Sequence, residues 1–349
     1  MRRLLKIAPS LAVGGVLVAL VLPRYAGTGW RDIAATLGGL TVGEVAVLVA
    51  LWFLGLYVYT FVLTASLPRL SRGRALTLNL TGSAVSNLVP FGGALGITLN
   101  YAMCRGWGFS RPSFALYTLL TNVWNTVLKL SLPALALVAL LLTDNLAQHS
   151  LALAAIGGLV AFGAIGLALV AALSSERRTV RLGRLVQSGA HAVLRAVRSR
   201  TRVELEQPVV HMRRQCLIIL RTLWHQISLG MLGYAALQTL LMWASLHMLG
   251  SHLSLVQVFA GYSVERILTL AMFTPGGAGL AELGTTALLI GLGGDPLVTV
   301  SGVLLYRAFT FGLEIPVGAA GLLVWLVRHR RRPQPGAPAG EPAPETVPG

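Results

Sequence analysis

Six ionisable side chains stand inside stretches that are otherwise apolar: Lys129, Glu265, Arg266, Glu282, Arg307 and Glu314. Charge in such a setting is costly and marks a site, a pathway or a buried pair. Lys129 shares a helical stripe with Asn122 and Asn125, and Arg307 and Glu314 stand seven residues apart on another. Two kinds of chemistry fit these residues. Three cations balance three anions, which suits an ion-pair network that pins neighbouring segments. The same groups suit the wall of a cavity for a polar headgroup, where Arg266 and Arg307 offer paired donors to a phosphate. The two readings are compatible, since a cavity needs pinned walls.

Two broken segments must position these groups. Residues 75–104 carry Pro90, Gly92, Gly93 and Gly96 at their middle, and residues 254–292 carry Pro275, Gly276, Gly277 and Gly279. Pro removes a backbone donor and Gly disfavours continuous helix. Each segment therefore reads as two half-helices joined at a broken tip, a re-entrant hairpin that enters and leaves on one side. Irregular backbone survives at membrane depth only where protein or a wet cavity satisfies it. Ser83, Ser86 and Asn87 precede Pro90, where they line a cavity or satisfy carbonyls freed by the proline; an Asn amide does both. Glu282 follows the second tip, so it also reads as a helix cap.

The rest of the chain is a membrane protein's. Of 349 residues 55% are hydrophobic and 11% charged, against about a quarter charged in soluble domains, which argues against a soluble enzyme. Two Cys exclude a disulfide scaffold. Apolar runs near the 20 or so residues of a span cover roughly 5–22, 43–66, 113–142, 150–173, 222–249 and 297–327. The first is read as a retained span, because Leu22-Pro23-Arg24-Tyr25 is a poor cleavage site. With both termini inside, the 28 Lys and Arg fall in cytoplasmic segments, apart from Arg24 and Arg31 outside and Lys129, Arg266 and Arg307 within apolar stretches. That obeys the positive-inside rule, and turning either hairpin into a full crossing spoils it.

The fold expected is thus an all-α polytopic membrane protein of about six transmembrane helices plus two re-entrant hairpins. Repeats at about 5–142 and 150–328 have the same order and opposite orientation, an inverted-topology repeat. An offset of 185 residues aligns Pro90 with Pro275, Gly92 with Gly277, Asn122 with Arg307 and Lys129 with Glu314.

The run Asn87-Leu88-Val89-Pro90-Phe91-Gly92-Gly93 resembles the first hairpin of flippase-like integral membrane proteins. These are related to the transmembrane domain of lysylphosphatidylglycerol synthase, the multiple peptide resistance factor. Glu265-Arg266-Ile267-Leu268, then Pro275-Gly276-Gly277-Ala278-Gly279-Leu280-Ala281-Glu282, resembles the second hairpin, and Tyr306-Arg307 fits the same pattern. The resemblance covers roughly residues 5–328. It implies translocation of aminoacylated or isoprenoid-linked polar lipids between leaflets. Buried charge and the broken tips give the expected substrate site: Asn87, Pro90, Gly92, Gly93, Lys129, Glu265, Arg266, Pro275, Gly276, Gly277, Glu282, Arg307 and Glu314. Two departures matter. Residues 329–349 are a basic, then Pro- and Gly-rich tail, so no lysyl transfer is expected of this polypeptide. Ala94-Leu95-Gly96-Ile97 follows the first glycine pair with no Arg or Asp, so an ionic contact there is not expected.

A basic loop at about 174–221 reads as an amphipathic helix on the inner leaflet or as a solvated topology signal. Each Arg at an anionic surface contributes about 1 kcal/mol. Its Arg-rich run lacks aromatic interleaving, so nucleic acid is excluded as a partner. No metal-ligand spacing and no phosphate loop are present, so no metal or cofactor is expected. The partners expected are anionic or polar membrane lipids, with a separate lipid-modifying enzyme or a second copy also open. The place expected is the cytoplasmic membrane and the role a non-catalytic one. A polyprenyl-phosphate-dependent transferase, for which Asp32 is the available outer carboxylate, and a non-transporting scaffold are the alternatives.

Overall fold

The computed structural model describes residues 13–88, 92–143, 206–270 and 274–330. Among these the chain is helical. α1 (Val13–Tyr25) and the short α2 (Trp30–Gly38) precede the long α3 (Val42–Ser66). α4 (Arg72–Leu88) and α5 (Gly92–Gly106) form the first hairpin, followed by α6 (Arg111–Leu142). After the undescribed stretch come α7 (Glu206–His247) and the second hairpin, α8 (Leu255–Leu268) and α9 (Leu280–Gly291). α10 (Pro296–Arg307), a π-helical stretch (Ala308–Leu313) and α11 (Glu314–Arg330) end the described chain.

Among the described residues four helices are long and apolar enough to cross a membrane: Val42–Ser66, Arg111–Leu142, Arg221–His247 and the composite Pro296–Arg328. They coincide with four of the six expected spans. The expected span 150–173 lies outside the described residues, as does the basic loop up to residue 205. The expected span 5–22 is represented by a shorter apolar helix, Val13–Tyr25, which is π-helical over Leu17–Val21. Two other differences are physical in origin. The helix of the fifth span begins earlier than the apolar run, at Glu206, because helix propagation needs no apolar face. The outer segment after the first span folds into α2, whose Ile33 and Leu37 pack on Leu22 and on Leu297 and Val300 of α10.

Starts and stops follow local capping. Thr41 opens α3 with its hydroxyl accepting from the Glu44 N–H, while Glu44 accepts from the Thr41 N–H at 2.7 Å. Ser254 and Gln257 repeat the device at α8, and Asp295 accepts from the Val298 N–H at 2.9 Å to open α10. Each cap satisfies a donor that a helix start leaves free.

The packing is reciprocal between the halves. α3 and α7, which hold equivalent places, run antiparallel against each other, with Gly55 facing Leu237 and Gln238 and Gly230 facing Val62. The first helix of each hairpin lies on the last span of the other half: α4 on α11 and α8 on α6. This reciprocal packing is compatible with the inverted repeat expected from the sequence. The α4–α11 contact depends on Gly318, where a Cβ would stand 2.2 Å from the Leu80 carbonyl and 2.6 Å from the Ala84 Cβ. Small residues at helix crossings let backbones meet in this way. Basic side chains cluster at one end of the bundle. Arg69 and Arg74 there line a pocket with Trp107 and Ser110, and Arg72 stacks over Phe61 at 4.1 Å.

Gly318→Val overpacks that crossing and is expected to cost about 1–3 kcal/mol. Gly321→Ala, whose nearest new neighbour is 3.6 Å away, is expected to be tolerated. Thermal unfolding of the two variants in detergent checks the contrast.

Candidate functional site

The second hairpin turns through Pro275–Gly277, one turn of 3-10 helix. Gly276, Gly277 and Gly279 have φ of 57°, 74° and 89°, conformations that a Cβ opposes. This turn leaves two features facing inward: the free Gly276 carbonyl and the start of α9. Glu282, in the first turn of α9, accepts from the Gly279 N–H at 2.6 Å with one oxygen. Its other oxygen accepts from Arg307 Nε at 2.7 Å. It is thus a cap and an ion-pair partner at once.

Arg307 has three anchors. Beyond Glu282, its Nη1 donates to Glu265 Oε1 at 3.1 Å and its Nη2 to the Gly276 carbonyl at 3.1 Å. Arg266 grips the same Glu265 with two bonds, Nε to Oε2 at 2.5 Å and Nη2 to Oε1 at 2.9 Å. Glu265 and Glu282 are 1% and 4% exposed. Each buried carboxylate is therefore paired with at least one guanidinium, and a buried charge is tolerable only when so compensated. The cluster ties both arms of the hairpin and its tip to α10.

Among the described residues the first hairpin has no such ion pair. At the 185-residue offset, Glu265, Glu282 and Arg307 correspond to Leu80, Ile97 and Asn122. α4 and α5 are joined instead by close backbone approach: a Cβ on Gly96 would meet the Gly82 carbonyl at 2.8 Å and Ser86 Oγ at 2.4 Å. The hairpin reaches the opposite half through Ser83, whose hydroxyl donates to Glu314. In the other half Lys129 Nζ donates to Thr269 Oγ1 at 3.3 Å. Lys129 and Glu314 are aligned by the offset, and each bonds a hydroxyl on the opposite half's hairpin. Arg307 and Glu314 both face the interior, although the π-helical stretch between them directs them to different hairpins.

The end of α4 meets the tip of the second hairpin. Asn87 stands beside Gly276, its Oδ1 2.8 Å from where a Cβ there would be. Around this junction lies a cavity of about 770 Å³. Of the residues expected at the site, Asn87, Gly92, Gly93, Lys129, Arg266, Gly276, Gly277, Arg307 and Glu314 line it. Glu265 and Glu282 do not; they stand behind the guanidiniums and orient them. Pro90 lies outside the described residues, and Pro275 contributes backbone to the turn. Asn79, Asn100, Thr118, Tyr234 and Gln238 line the cavity as well and were not read as site residues. The signal available was a run of polar residues continuing the Asn122–Asn125–Lys129 stripe back to Thr118 and Thr121. Neutral polar side chains carry little cost in a helix that can bond its own carbonyls, as Thr121 does to Tyr117 at 2.8 Å, so they stand out less than charges.

Over residues 7–318 the chain matches the family model described as Lysylphosphatidylglycerol synthase TM region. It belongs to that family. Among curated proteins none matches the sequence, so the family model carries the assignment. As a member of the Lysylphosphatidylglycerol synthase TM region family, the chain is a multi-pass membrane protein related to lipid handling, and its Glu265, Arg266, Glu282 and Arg307 form one physical unit.

Arg307→Met strands Glu282 in the interior and is expected to cost about 3–5 kcal/mol. Adding Glu282→Gln to it is expected to recover most of the loss, because Glu265 keeps Arg266. Thermal unfolding of both variants in detergent measures the difference.

Proposed function

We propose that the protein moves a polar lipid between the two leaflets of the cytoplasmic membrane, without catalysing a covalent reaction. The observation that carries this reading is a polar, cation-bearing cavity at the junction of two broken hairpins, inside a bundle of apolar helices. Lys129 has no carboxylate within 4.0 Å among the described residues, so it is the cation most available to a phosphate. Arg266 and Arg307 add positive potential from positions that their carboxylates hold rigid. Asn79, Asn87, Asn100 and Asn125 supply neutral donors and acceptors for a glycerol, sugar or aminoacyl group.

The cavity reaches the outside between α5 and α6. Gly93, Ala94 and Ile97 on one flank, Asn122 and Thr126 on the other, and Leu270 beside them both line it and are exposed. Leu95 and Leu119 are exposed nearby. An apolar rim around a polar interior suits an amphiphile, headgroup inside and chains outside. Reciprocal packing of the hairpins on opposite halves supports alternating access by rocking one half against the other. The basic end of the bundle is assigned to the cytoplasm. The transferase alternative is weakened by Asp32, whose carboxylate accepts from the Gly29 N–H at 3.2 Å and so serves as a cap of α2.

The test is lipid scrambling by the full chain in liposomes, using fluorescent phosphatidylglycerol and phosphatidylethanolamine with native mass spectrometry of co-purified lipid. Lys129→Ala is expected to slow scrambling about tenfold or more, the worth of one charge-assisted hydrogen bond, while Gly321→Ala leaves the rate unchanged. Equal rates in Lys129→Ala and the parent overturn the assigned site. Scrambling no faster than in protein-free liposomes overturns the function.

A further inference from the structure

Glu314 differs from the other buried carboxylates. It is 5% exposed and lines the cavity, yet no Lys, Arg or His nitrogen lies within 4.0 Å of it among the described residues. The groups that face it from neighbouring elements are Trp52 on α3, Ser83 on α4, Tyr234 on α7, Arg266 on α8 and Arg307 on α10. Both arginines already have their bonds directed elsewhere, to Glu265, Glu282 and Gly276. Ser83 donates a hydrogen bond to it, the Trp52 side chain is also directed at it, and Ser83 belongs to a hairpin that no ion pair among the described residues holds. Glu314 also directly follows the π-helical stretch Ala308–Leu313, and such local widenings recur at functional sites.

We propose that Glu314 is a proton-binding site and that its proton controls the docking of the first hairpin. The proposal rests on the transport reading above, because it assigns a coupling ion to the same cavity. A carboxylate enclosed without a counter-cation is costly, and a proton taken from water through the cavity removes that cost. With the proton bound, the carboxyl group and the Ser83 hydroxyl satisfy each other and α4 stays seated on α11. When the proton leaves to water, the charge demands hydration, and the unpinned hairpin moves away to admit it. The second hairpin stays in place, because Arg307 holds its tip and both its arms. The proton thus acts on one hairpin while the other serves as the fixed wall.

The experiment uses the full chain in nanodiscs of phosphatidylcholine and phosphatidylglycerol, which offer no primary amine to the carboxylate. Cys104 and Cys216 are replaced, and spin labels are placed at Leu95 on α5 and Leu323 on α11, both exposed. Their separation is measured by pulsed dipolar spectroscopy from pH 5 to pH 9. In the parent the separation is expected to lengthen as pH rises, and in Glu314→Gln to stay at the short, acid value throughout. Ser83→Ala keeps the carboxylate and is expected to shift the transition to lower pH by about one unit, the effect of one hydrogen bond lost from the docked state. A parent that shows no pH transition overturns the proposal, and so does a Glu314→Gln variant that titrates like the parent. Neither result requires transport to be measured, so a failure here leaves the scrambling test to judge the transport reading separately.

Discussion

Arg307 between Glu265 and Glu282 is the contact on which the rest of the site depends. A guanidinium offers five donors in a fixed plane, and this one directs three of them to two carboxylates and the Gly276 carbonyl. The glycine tip at Gly276–Gly279 leaves backbone groups that no helix satisfies. Arg307 takes the free carbonyl, and Glu282 takes the Gly279 N–H. Broken backbone inside an apolar bundle is therefore stabilised by charge, and the charge by the broken backbone. Removing either member leaves the other uncompensated. The arginines that border the cavity are oriented by this arrangement, since Glu265 holds Arg266 as well as Arg307.

Internal repetition sets the architecture, and departures from it set the division of labour. α4 rests on α11 as α8 rests on α6, and the Ser83–Glu314 and Lys129–Thr269 contacts fall at equivalent places in the two halves. The charges there are opposite in sign. Leu80 and Ile97 stand where Glu265 and Glu282 stand in the other half, so among the described residues the first hairpin is joined to the other half by close packing and the Ser83 hydroxyl rather than by ion pairs. Contacts of that kind slide and part at lower cost than a buried ion cluster. One hairpin is thus pinned by buried ion pairs and the other is held by close packing and a hydroxyl.

Much of this was legible in the residues. Charge in an apolar run is rare enough that Lys129, Arg266, Arg307 and Glu314 stood out, and the Pro-Gly clusters marked both tips. The 185-residue offset paired Lys129 with Glu314 from the positions of the prolines alone. Other features were not legible. The wall of Asn79, Asn100 and Gln238 consists of neutral groups whose cost in a helix is small, so their type signals little. The π-helical stretch at Ala308–Leu313 and the short α2 arise from packing against neighbours, which local propensity does not encode.

What the sequence determined by itself is the set of long-range constraints: which segments are apolar, where backbone must break, and which end of the bundle is basic. Those follow from solvation and backbone sterics, properties of each segment alone. Tertiary structure decided which carboxylates face the cavity and which stand behind it. Glu265, Glu282 and Glu314 are alike as side chains in apolar segments, yet two are ion-paired to arginines and the third, among the described residues, has no cation within ion-pair distance and accepts from a hydroxyl of the opposite hairpin. That difference depends on the distances between helices far apart in the chain. A carboxylate's role at such a place is set by what lies within a few ångströms of it.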